Sequence, residues 1–236
     1  MEITLVAKKI FHSICDLAAP KYCFLCNKPI DNHFHLSYIC PDCFYNLPSA
    51  SDSNVIISRL LQSFSADDIG VSDIFSLFSL KDTDFLKIVH SLKYEGLYSI
   101  GFEFGLLLGQ KIKEKNSTNY DYILPVPIHS AKKRERGYNQ SLHIARGINS
   151  ILKTEINEKL VIRGKYTQSQ TLLTASQRKE NVKDIYRANP TKFNLDNKTV
   201  LIVDDVFTTG STINYLSLTL LNNGVKKVDA ATIALA

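Results

Sequence analysis

The stretch TVLIVDDVFTTGST, residues Thr199 to Thr212, decides how this chain is read. Thr199 through Val203 are β-branched or apolar without a break, the pattern of a strand buried on both faces of a parallel sheet. Asp204 and Asp205 follow at once. Adjacent carboxylates repel, and burial raises the cost, so the pair belongs at an open strand end facing cations or hydroxyl groups. Thr208, Thr209, Gly210, Ser211 and Thr212 then lead into STINYLSLTLLNNG, which reads as a helix ending at Gly224. Free N–H groups at a helix start, hydroxyls and the helix dipole together cradle phosphate. An acid pair just before such a cradle describes a ligand with hydroxyls at one end and a phosphate at the other. A ribose 5-phosphate has that layout, its 2- and 3-hydroxyls, or a bound Mg2+, meeting the acids.

Outward from this stretch, KVDAATIALA reads as a last strand, YDYILPVP as a strand halted by Pro125 and Pro127, and KLVIRG as a short strand. TDFLKIVHSLKYEG is a helix stopped at Gly96, and a second helix runs through GLYSIGFEFGLLLGQKIKE. HSAKKRERGYNQ reads as a basic loop before a helix through SLHIARGINSILK, with Gly137 permitting a tight turn. Residues 165–181 are polar and basic without sustained periodicity, a loop. Alternating strands and helices give an α/β fold around a parallel sheet. Receiver domains also carry an acid pair after a strand, but they need several more βα units, and only 31 residues follow Asp205.

The composition, 44% hydrophobic and 22% charged, is that of a soluble globular chain. The N-terminal stretch has charges inside its apolar run and no clean h-region, so a signal peptide is not expected. It reads as an amphipathic helix with Leu5, Ile10, Ile14 and Leu17 on one side. No window of 18 apolar residues exists to span a membrane. Between His129 and Lys192 there are 14 Lys and Arg against 5 Asp and Glu, a local balance of +9 that leaves −4 elsewhere. That field suits phosphates or nucleic acid; a solvated basic face is the competing reading.

Four cysteines form two C-x2-C pairs, Cys23 with Cys26 and Cys40 with Cys43, separated by 13 residues. Two such knuckles complete a tetrahedral zinc site, and four thiolates leave no open position, so the metal is structural. Redox use of the pairs is the alternative, and His33 or His35 could stand in as ligands. Cys15 is left over as a small hydrophobe. The expected organisation is an N-terminal helix and zinc-binding module at 1–50, a connecting segment at 51–80, and the α/β domain at 81–236.

VLIVDDVFTTGST resembles the phosphoribosyl-pyrophosphate (PRPP) signature of type I phosphoribosyltransferases. Phe207 departs from the small aliphatic residue usual there, and an aromatic is typical of the ComF branch. PVPIHSAKKRERGYNQS, TQSQTLLTASQRKENV and the four-cysteine module are similar to the same branch, so the chain is identified as a member of the ComF/GntX-like family. The resemblance implies a type I phosphoribosyltransferase-like domain preceded by a small zinc-finger module. It places Asp204 and Asp205 on the ribose in the catalytic position, and Val206, Thr208, Thr209, Gly210, Ser211 and Thr212 around the 5-phosphate. Pro125, Val126 and Pro127 would begin the pyrophosphate loop, and Arg178 would close a lid over the diphosphate. Lys132, Lys133, Arg134 and Arg136 would neutralise pyrophosphate or a nucleic-acid backbone. For Tyr138 and Asn139 a structural role and a ligand contact both stay open. Tyr94, Tyr98, Tyr138 and Tyr166 are the candidates for stacking on bases.

The resemblance further implies a cytoplasmic protein of DNA uptake in natural transformation, binding single-stranded DNA and, with Mg2+, PRPP or a related phosphorylated ribose. Two alternatives stand beside it. One is an active transferase moving ribose 5-phosphate to an unknown acceptor. The other is an adaptor whose zinc module docks a helicase or recombination mediator. No acceptor-binding residues are legible, and this fold also hosts regulators without turnover.

Overall fold

The computed structural model describes residues 21–30, 34, 36–80, 83–94, 97–115, 118–163, 186–190 and 192–236. The N-terminal helix, Cys15, His33, His35, Gly96, Tyr166 and the 165–181 loop with Arg178 lie outside the described residues.

In chain order the elements are α1 (Pro41–Asn46), α2 (Ser53–Leu60), β1 (Asp73–Ser79), α3 (Thr83–Tyr94), α4 (Tyr98–Lys115), β2 (Tyr122–Pro125), α5 (Ser130–Arg136), α6 (Gln140–Leu152), β3 (Glu155–Ile156), β4 (Val161–Arg163), β5 (Tyr186–Ala188), β6 (Thr199–Phe207), α7 (Ser211–Leu221) and β7 (Lys227–Leu235). Five strands form one parallel sheet in the order β1-β7-β6-β2-β3. The short strand β4 stands apart from it, pairing antiparallel with β5.

Successive side chains of β6 enter opposite layers, as the strand period requires. Val200 and Ile202 sink among Leu60 of α2 and Leu216 and Leu220 of α7. Leu201 and Val203 sink among Phe104 and Leu108 of α4 and Ile144 and Ile148 of α6. Both faces are therefore covered, which is why the run carries no polar residue before Asp204. The α4 and α6 backbones touch. A Cβ on Gly105 would stand 2.2 Å from Ile144 O, and one on Gly147 2.2 Å from Phe102 O. That contact fixes α6, whose N-terminal residues face the site described below.

Two stretches differ from expectation. The basic stretch after Pro127 is not a loop: Ser130–Arg136 is helical, because Ala, Lys, Arg and Glu all favour helix, and Gly137 ends it at φ 78°. Residues 51–80, read as a connector, contribute α2 and the edge strand β1, which runs parallel to β7 with Phe75 opposite Ala231. Ser76 and Ser79 interrupt the apolar run there and obscure its period.

The four-cysteine module shares this core. Leu36, Ile39 and Leu47 join Phe78, Phe85 and Phe104 in one cluster, with the Phe44 and Phe78 rings edge to face at 5.8 Å. The Ser37 N–H donates to both carboxylate oxygens of Glu103 on α4, at 3.1 and 3.0 Å. Among the described residues no helix is long and apolar enough to cross a membrane.

Candidate ribose-phosphate site

The chain leaves β2 toward β3 on one side and leaves β6 toward β7 on the other. Neighbouring strands whose connections diverge leave a crevice at their carboxyl ends. Here that crevice is a cleft of about 350 Å³. Strand β2 stops at Pro125 opposite Val203, and β6 runs on past it, carrying the acid pair into the opening.

Asp205 is 5% exposed and Asp204 half-buried. The repulsion between them is answered in two ways. Lys93, from α3, lies 3.2 Å from Asp205 Oδ2, and Gln140 Nε2 donates to the same oxygen at 3.3 Å. Asp204 Oδ1 accepts from Ser141 Oγ at 3.0 Å and from the Asp205 N–H at 2.9 Å. These bonds do not compensate fully: burial, then the charge of Asp205, push the Asp204 carboxyl up to about 8. Asp204 therefore holds its proton to higher pH than an exposed carboxyl does.

Thr208, Gly210, Ser211 and Thr212 line the same cleft. Gly210 has φ 73°, and a Cβ there would meet Phe207 Cζ at 2.3 Å and Leu60 Cδ2 at 2.5 Å. The aromatic at position 207 is 1% exposed and packs directly beneath the turn, so only glycine fits above it. Among the described residues the turn's N–H groups are little used by the fold. Ser211 N–H reaches Thr209 Oγ1 at a long 3.4 Å, and Asn214 N–H bonds Gly210 O at 2.8 Å. Thr209 does not line the cleft; its hydroxyl holds Ser211 Oγ at 2.9 Å.

Val126, Pro127, Lys132 and Arg136 line the same cleft. Residues 132 and 136 are four apart and share a helix face, so α5 presents both to the cleft. Lys133 lies on another face and lines a neighbouring cleft, and Arg134 is exposed without lining this one. Asn139 is structural: its Nδ2 donates to Val126 O at 3.1 Å and its Oδ1 caps α6 through Ser141 N–H. Tyr138 donates its hydroxyl to Leu92 O, and its ring packs with Tyr98 and His143 at 5.8 and 5.6 Å.

The sequence reading missed Lys93, Gln140, Ser141, Arg163 and Tyr186, all of which line the cleft. Among the described residues Gln140 Oε1 is buried there without a hydrogen-bond partner. The RGYNQS motif held the signal for Gln140 and Ser141, since an N-cap Asn fixes where the next two side chains point. Lys93 gave none, lying in an unremarkable amphipathic helix.

The four cysteine sulfurs lie within 4.8 Å of one another, and Cys26 Sγ is 3.7 Å from Cys40 Sγ. Tetrahedral zinc with bonds of about 2.3 Å separates its sulfurs by roughly 3.8 Å, so the cluster could hold such an ion. Burial alone would raise the Cys23 thiol, but N–H groups of Cys40, Cys26 and Leu25 bring it down to about 7. Burial and the neighbouring sulfurs raise Cys43. Crowded thiols with N–H donors aimed at one sulfur are the environment of a metal-thiolate knuckle.

Residues 139–236, from the α6 cap through the acid pair and the turn, match the phosphoribosyl transferase domain. The DNA utilization protein YhgH of Salmonella typhimurium is 30% identical over 230 residues, spanning 90% of this chain and 96% of that protein. The chain belongs to the ComF family. Competence protein F of Haemophilus influenzae is 28% identical over 153 residues, 63% of this ComF-family chain and 67% of the relative. Among solved structures, the glutamine PRPP amidotransferase of B. subtilis is similar at 17% identity and a TM-score of 0.44, over 60% of this chain and 30% of that one.

Proposed function

We propose that this protein is a cytoplasmic ComF-type factor of DNA uptake that binds single-stranded DNA and, in the cleft between β2 and β6, PRPP or a related phosphorylated ribose. One observation carries the reading: the acid pair, the hydroxyl-rich turn and the Lys132–Arg136 face line a single opening of about 350 Å³. Asp204 and Asp205 take the ribose hydroxyls, the turn takes the 5-phosphate, and Lys132 and Arg136 take the charge at the other end. Asp204 and Asp205 are also the hard oxygen donors that suit Mg2+, which would neutralise part of the diphosphate when bound with PRPP. The names of the relatives support the DNA assignment, as does the basic surface, with a helicase or recombination mediator as the protein partner. Fluorescence anisotropy with labelled single-stranded DNA over a salt series tests it. Affinity should fall steeply as salt rises; undetectable binding at low salt removes the DNA half of the reading.

The placement of Lys132 and Arg136 also favours a second reading, turnover. Breaking the bond from C1 of the ribose to pyrophosphate sends the electron pair to the leaving oxygen, beside those two cations, while an acceptor nucleophile bonds to C1. No protein nucleophile is required, since positioning and charge stabilisation suffice. Pyrophosphate release from PRPP, lost in Asp205→Asn, is the measurement. No release with any base or nucleotide pool leaves a binding site alone.

A further inference from the structure

A second cleft, of about 730 Å³, lies against the first and shares Pro127, Ile128 and Arg163 with it. Among the described residues its charged lining is Lys133, Lys159, Arg163 and Lys192 against a single acid, Glu158. The two clefts differ in kind. The first holds adjacent carboxylates able to accept from sugar hydroxyls; among the described residues the second has no such pair and offers mainly cations. Helix α5 divides its cations between them, because Lys132 and Arg136 share one face while Lys133 is turned about a third of a revolution away. Arg163 is held at the partition, its guanidinium 5.7 Å from the Tyr186 ring centre. Apolar surface adjoins the cations: Ile162, on β4, is 54% exposed. Cations beside an exposed apolar side chain suit a single strand, whose phosphates and unstacked bases present both characters.

We infer that this second cleft is the track for the single-stranded DNA backbone, so that DNA and the phosphorylated ribose bind side by side instead of competing. The inference rests on the reading that the protein binds single-stranded DNA. Lys159 and Lys192 are exposed and belong to the track alone.

The test is anisotropy of a labelled oligothymidylate with wild type and with Lys159→Ala/Lys192→Ala, over a salt series and with or without saturating PRPP and Mg2+. Loss of two phosphate contacts should weaken binding at low salt by tenfold or more. It should also flatten the slope of log affinity against log salt by about 1.4, at about 0.7 per contact for single strands. PRPP should leave wild-type DNA affinity unchanged, and the variant should bind PRPP as wild type does, which also confirms its fold. A wild type that binds DNA beside a variant of unchanged affinity and slope overturns the inference and leaves the DNA reading standing. Displacement of DNA by PRPP, or equal affinity for a duplex of the same length, overturns it as well. A wild type that binds no DNA at low salt sinks both.

Discussion

Lys93 Nζ lies 3.2 Å from Asp205 Oδ2, joining the end of α3 to the carboxyl end of β6 in the cleft that both line. The lysine side chain is 25% exposed and the aspartate 7%. Removing one partner of a buried pair leaves the other uncompensated, at about 3–5 kcal/mol when both are fully buried. The partial exposure of Lys93 lowers that figure, so Lys93→Met should destabilise by about 2 kcal/mol. Lys93→Met/Asp205→Asn should recover most of the loss, because no lone charge remains. Denaturant unfolding measures all of these, and a double variant no more stable than Lys93→Met contradicts the pairing.

The acid pair also sets a pH dependence. The Asp204 carboxyl stays protonated to about 8 in the folded protein and loses its proton near about 3.9 when unfolded. Between those values the native state binds more protons, so stability falls as pH rises from about 4 to about 8. Asp204→Asn keeps an acceptor for Ser141 Oγ and the Asp205 N–H and removes the titration. Its melting temperature should match wild type near pH 4.5 and exceed it at pH 8.5, with about 2–4 °C for each kcal/mol regained. A variant equally displaced at both pH values counts against the raised carboxyl.

Gly210→Ala places a methyl on the Phe207 ring at a left-handed φ. Strain of this kind costs on the order of 1–3 kcal/mol. The turn must also shift, so the variant should bind the phosphorylated ribose more weakly than its stability loss explains. Gly210→Ala/Phe207→Leu should regain part of both, as read by calorimetry and thermal melting. If the double variant recovers neither, the ring is not what excludes the methyl.

Purified protein should carry one metal ion per chain, read by elemental analysis. Cys40→Ser, or strong chelation, should lower the melting temperature of the whole protein, because Ile39 and Leu47 share a cluster with Phe78 and Phe104. A metal-free protein whose melting is unchanged by added zinc contradicts the metal site.

How far the sequence carried depends on where each signal was local. Strand β6, the turn and the cysteine knuckles were legible because each is a continuous pattern with one physical solution. The expected strands at Tyr122–Pro125 and Lys227–Leu235 form for the same reason. Strand β1 was not legible: its place at the sheet edge comes from β7, more than 150 residues away, and Ser76 masks its apolar period. Lys93 was invisible for a related reason, since its work on Asp205 exists only once α3 and β6 meet. The separation of Lys133 from Lys132 needed the basic stretch to be a helix, and reading it as a loop concealed the two faces.

The account rests on a phosphorylated sugar being held between the acids and the turn, and calorimetric titration of PRPP with Mg2+ tests that most directly. Wild type should show saturable binding at one site per chain. Asp205→Asn should abolish it while unfolding cooperatively in a parallel melt, and Ser211→Ala should weaken it. Binding that is absent in folded wild type, or undiminished in Asp205→Asn, would contradict the account.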